Sequence, residues 1–70
     1  YREAIADFSQ ELKMNPKNPL AWYNRGVNRK MAQDIEGAIA DYKKALEVAP
    51  KGWSLQKTTE AELQKLTEKK

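Results

Sequence analysis

Three groups of side chains in this sequence have chemistry to offer. Asp7, Glu36, Asp41 and Glu47 are carboxylates of the kind that move protons. Arg25, Arg29 and Lys30 form a local basic cluster, and Arg25 and Arg29 share a helix face at a spacing of four. Trp22, Tyr23 and Tyr42 are aromatics able to cage or anchor a ligand. Each group also has a plainer reading. The carboxylates fall on polar helix faces, and nothing in the pattern buries them to shift their pKa. The basic cluster reads as a solvated face paired with Asp34, Glu36 or Asp41; contact with an acidic peptide or a phosphate is the functional alternative. Trp22 and Tyr42 read as packing between paired helices. Tyr23 points away from that packing by helical period. It is either a binding anchor or a cover for a neighbouring unit.

The missing chemistry narrows the function. There is no cysteine and no histidine, hence no thiolate metal site, no disulfide and no imidazole base. There is no nucleophile–base pair, no glycine-rich phosphate loop and no calcium loop. The expectation is a non-enzyme with no cofactor and no metal. The net charge of +3 comes from basic and acidic residues mixed through most of the chain, which argues only weakly for nucleic acid. The aromatics do not interleave with the bases as a stacking platform requires. No nucleic-acid partner is expected. No apolar run approaches the roughly 18–20 residues that span a bilayer, and no signal peptide is visible, so no membrane partner is expected either. The chain opens on Tyr1, without Met and in mid-pattern, and reads as a piece of a longer protein. Its compartment stays unassigned, with the cytoplasm as default.

These side chains must be carried by helices. Ile5, Phe8 and Leu12, with Ala4 beside them, make one apolar stripe over residues 1–14. Asn15-Pro16 ends that helix. Asn18-Pro19 caps and opens a second one over 19–32. Gly26 costs that helix roughly 0.5–1 kcal/mol against alanine, which close approach of a neighbour would offset. The short Gln33-Asp34 loop turns the chain back antiparallel, and Asp34 is a fitting N-cap for a third helix over 35–48. Ile35, Ala38, Ile39, Tyr42, Ala45 and Leu46 line its apolar side. A fourth, more polar helix spans 54–68, with Leu55, Thr59, Leu63 and Leu66 on a narrow face. Ser54 caps it, or Thr59 and Glu62 make a capping box. Lys69-Lys70 is expected to fray. The fold class is all-α, one domain over residues 1–70.

The helices repeat. Ala4-Ile5-Ala6-Asp7-Phe8 returns as Ala38-Ile39-Ala40-Asp41-Tyr42, and Pro16 returns as Pro50, both at an offset of 34 residues. Trp22-x-x-Arg25-Gly26-x-x-Arg29, Ala38-x-x-x-Tyr42, Ala45 and Pro50 together resemble the tetratricopeptide repeat. The resemblance covers one full repeat at 19–52, the second half of another at 1–18, and a terminal capping helix at 53–70. The sequence departs from the pattern at Arg25 (usually leucine), Arg29 (usually tyrosine), Glu11 (usually small) and Gln33 (often glycine).

The resemblance implies an α–α superhelix fragment and function by binding. In that family the first helix of each pair lines a concave groove where peptides or partner helices dock. Carried to this sequence, the groove-facing candidates are Tyr23, Asn24, Val27 and Lys30. A carboxylate clamp of the chaperone-binding kind is not expected, since Tyr23 and Val27 occupy places it needs. The expected function is a protein–protein interaction module, a scaffold or adaptor with a protein or peptide partner. The alternative is a structural C-terminal cap of a longer array that self-associates. Such a homodimer would form through Ala4, Ile5, Phe8 and Leu12 of the first helix.

Overall fold

A computed structural model describes residues 1–68; the fraying expected at Lys69 and Lys70 lies outside them. Four helices follow one another: α1 (Arg2–Met14), α2 (Pro19–Met31), α3 (Ile35–Val48) and α4 (Gln56–Glu68). Each of the main interfaces joins helices adjacent in sequence, and the α2–α3 interface is the most extensive. The described residues contain no strand. The all-α repeat architecture expected from the 34-residue offset is what the chain adopts.

The helix boundaries follow local chemistry. The Asn18 side chain accepts from Leu20 N–H at 3.1 Å, with Pro19 at the first helical position. Asp34 accepts from Gly37 N–H at 3.0 Å. Each satisfies an amide that the helix start leaves without a partner. Gln33 takes a left-handed conformation, φ 71°, where a side chain is disfavoured. This is the position at which the family often has glycine.

The fourth helix starts later than the sequence suggested, at Gln56 rather than at residue 54. Trp53, Ser54 and Leu55 form a turn before it. Neither expected cap operates. Thr59 lies inside the helix, fully buried, and its Oγ1 donates to the Leu55 carbonyl at 2.7 Å. Glu62 points instead to Lys30. A hydroxyl with a carbonyl four residues back satisfies itself there and does not serve as a cap.

The core is built from small residues around one ring. Ala21, Ala38, Ala45, Leu12 and Tyr42 are buried. Tyr42 packs on Gly26, where an added Cβ would lie 2.9 Å from Tyr42 Cε1 and 3.2 Å from Asp41 Cβ. The glycine therefore sets how closely α2 approaches α3. Burying the apolar part of this ring contributes roughly 1.5–3 kcal/mol, set against the propensity cost of Gly26 and the cost of enclosing the Tyr42 hydroxyl. Trp22, expected in the same seam, is only half-buried. Its Nε1 donates to the Pro16 carbonyl at 2.7 Å and pins the α1–α2 turn.

The candidate interface on the second helix

Asp41 decides the electrostatics of this face. It is 1% exposed, which overturns its expected place on a polar face. Its position explains the burial, because Ala38, Asp41, Tyr42 and Ala45 fall on one stripe of α3, and all four are buried. Arg25 Nε donates to Asp41 Oδ2 at 2.9 Å and Arg25 Nη2 to Oδ1 at 2.8 Å. Arg29 Nη1 adds a longer contact to Oδ2 at 3.3 Å. The two arginines, one helical turn apart, thus converge on one carboxylate. A forked guanidinium–carboxylate pair of this kind is strong and directional.

The arginines make further contacts. Arg25 Nη1 donates to Ser9 Oγ on α1 at 3.0 Å, and its guanidinium lies 4.9 Å from the Trp22 ring centroid. Ser9 in turn donates to the Ile5 carbonyl. One side chain therefore ties α1, α2 and α3 together. Arg29 also approaches Asp34 at 3.8 Å. Asp41 and Asp34 were both among the expected partners, but the Arg25–Asp41 pair is interior rather than solvated.

Tyr23 stands between two other rings. It is tilted against Tyr42 at 5.8 Å and meets Trp53 edge-on at 6.4 Å. Such arrangements add about 0.5–1.5 kcal/mol beyond the area they bury. Lys30 Nζ donates to Glu62 on α4 at 2.7 Å. That hydrogen bond lowers the Glu62 carboxyl below the ordinary carboxylate value, with burial opposing it. Tyr23 and Lys30 are thus both engaged by the segment from Trp53 to Glu62. The Tyr42 hydroxyl is buried with no hydrogen-bond partner among the described residues. Burial chiefly, with the Glu62, Tyr23 and Asp41 charges behind it, pushes its pKa up to about 12.

Asn24 faces the other way. With Leu20 and Ala21 it lines an open groove of about 310 Å³ between α2 and α1, whose far wall carries Asp7, Phe8 and Glu11. Leu20 is 47% exposed at its rim. Val27 is half-buried. The four groove candidates therefore divide: Tyr23 and Lys30 lie toward α4, and Asn24 lies toward α1. On α1, Leu12 is buried, while Ala4, Ile5 and Phe8 are half-buried. Leu12 is removed from any face a second copy could cover.

Glu62 and Trp53 were not identified as neighbours of this face, since a 34-residue repeat does not reveal how a following helix docks. No cluster of metal-ligating side chains occurs among the described residues. Among them no helix is long and apolar enough to cross a membrane.

The paired helices, the glycine seam and the 34-residue offset describe a known unit. The tetratricopeptide repeat model matches residues 19–51. Those residues are a tetratricopeptide repeat. Tetratricopeptide repeats are in general protein–protein interaction modules and not catalysts. Neither a curated protein nor a solved structure matches the chain at a significant level. Arg25 and Arg29 depart from the repeat's usual residues, and both departures meet at Asp41.

Proposed function

We propose that the chain is a scaffold or adaptor module that binds a peptide or partner helix on the inner side of α2. Asn24 and Val27 make direct contact, and Tyr23 and Lys30 hold the edge of the face against α4. The supporting observation is the open groove beside Asn24, where Leu20 is left exposed next to a side-chain amide. A large apolar side chain beside polar groups in a concavity is the composition of an interaction site. The partner is expected to be lost from an affinity capture with the double variant Asn24→Ala/Val27→Ala, at unchanged helical circular dichroism. Equal capture by the variant and the native chain would refute this use of the face.

A second reading has its own support. Glu62 and Trp53 occupy Lys30 and Tyr23, as a terminal cap would. In that reading α4 closes the stack and the chain binds no ligand of its own. Self-association would then run through Ala4, Ile5 and Phe8. Light scattering across a concentration series separates the two, because the capping reading requires a dimer that Phe8→Glu dissolves.

A further inference from the structure

Among the described residues, the Tyr42 hydroxyl is the one buried side-chain group without a hydrogen-bond partner. The ring is wholly enclosed. It lies against Gly26 and 5.8 Å from the Tyr23 ring. An enclosed donor left unused is a cost the fold carries. Asp41 is no acceptor for it, since both its oxygens are taken by Arg25. Of the neighbouring charges, Glu62 of α4 acts on the hydroxyl most strongly. Glu62 Oε1 accepts from Lys30 Nζ at 2.7 Å, and Oε2 accepts nothing among the described residues. A carboxylate has room for more donors than that. Nor is the pair sealed: the Lys30 side chain is 34% exposed and that of Glu62 24%. One partly open carboxylate thus stands near two donors and serves only the outer one.

From this we infer that Glu62 is a latch with two seats: it holds Lys30 while the face is empty, and passes to the Tyr42 hydroxyl when an acidic side chain of a peptide ligand takes Lys30. In the exchange Lys30 trades one carboxylate for another. Glu62 trades an ammonium donor for a phenol donor, and the unused hydroxyl gains a partner. Repulsion between the incoming carboxylate and Glu62 drives the transfer. An apolar or basic side chain would leave Lys30 without a counter-charge, so the ligand at this place is acidic. Tyr42 is too deeply enclosed to touch the ligand; it is a positioning residue that acts through Glu62. The inference rests on the reading of the chain as a protein-binding module and names the ligand chemistry at Lys30.

The probe is a fluorescein-labelled hexaglutamate peptide, titrated against the full chain and followed by anisotropy. Saturable binding is expected, lost with Lys30→Gln and strengthened by Glu62→Ala, which removes the competing carboxylate. Tyr42→Phe keeps the ring and removes only the hydroxyl. At neutral pH it should leave the free chain at least as stable as the native one, yet weaken the peptide roughly fivefold. With Glu62→Ala already in place, the same change should make no difference, because Tyr42 acts through that carboxylate alone. No saturation, or equal binding by the native chain and Tyr42→Phe, would overturn the inference. A loss that persists beside Glu62→Ala would do so too, by showing a merely structural role. A Tyr42→Phe chain that is less stable or fails to fold would mean that the hydroxyl already has a partner, a buried water for instance, and would overturn it as well. One measurement needs no variant: the carbon-13 resonance of Tyr42 Cζ should move as the native chain saturates, and a stationary resonance counts against the latch. If hexaglutamate fails to bind while Asn24→Ala/Val27→Ala still loses its protein partner, only this inference falls and the proposed function stands.

Discussion

At the scale of single residues, Asp41 joins α3 to two arginines of α2. A carboxylate removed from water is stabilised only by what pairs with it, and here two arginines do so. Asp41→Ala would leave the Arg25 guanidinium, 14% exposed, without its partner. The expected loss is about 3–5 kcal/mol, read from chemical denaturation, and for a chain this small that approaches its whole stability. A loss under about 1 kcal/mol would show the pair to be dispensable. Tyr42 gives a second test. Its hydroxyl ionises at about 12 in the folded chain, above the ordinary value near 10. The unfolded chain therefore gives up this proton first as pH rises. The stability it contributes is complete below about pH 10 and is lost as pH climbs toward 12. Ultraviolet titration should show a phenolate step near 12 that Tyr42→Phe removes. Asp41 also marks a limit of the sequence reading. Its place on the Ala38–Tyr42–Ala45 stripe was there to see, but charge suggested solvent, and the arginines that reverse that preference lie on another helix.

At the scale of elements, the periodicity located α1, α2 and α3 to within a residue, because caps, prolines and apolar spacing all agreed there. It misplaced the start of α4 because Ser54 and Thr59 both look like caps and only docking decides between them. Gly26 was legible as a seam. Gly26→Leu is expected to cost about 1–3 kcal/mol by overpacking against Tyr42, lowering the melting temperature by several degrees or more; an unchanged midpoint would remove the glycine's role. The α2–α4 junction is expected to weaken in acid. Glu62 is held below its ordinary pKa by Lys30. Its contribution is present above the ordinary carboxylate range and is lost as pH falls through its lowered value. Native-state hydrogen exchange should show α4 loosening before α2 and α3 on acidification. Glu62→Gln should make that order less dependent on pH. The candidate site was legible only in part. The repeat pattern supplied four residues on one helix, but which of them stay open depends on α1 and α4, and no spacing along 19–32 encodes that.

For the whole molecule, the main interfaces run only between successive helices, over extents of 34 × 30 × 14 Å. A body this thin has no deep interior. Amide protection is expected to be highest in α2 and α3 and to fall toward α1 and α4, a gradient that exchange measured residue by residue would reveal; uniform protection would mean one cooperative block. The α2–α3 connection has a consequence in time as well as in space. Only three residues, Ala32 to Asp34, separate these two helices, so their ends meet with little entropy lost to loop closure. The hairpin they form is the expected nucleus, with the outer helices adding to it through contacts nearly as local. Chains dominated by such contacts fold in microseconds to milliseconds. Substitutions at Asp41 or Gly26 should therefore slow folding, whereas those at Glu62 should mainly speed unfolding.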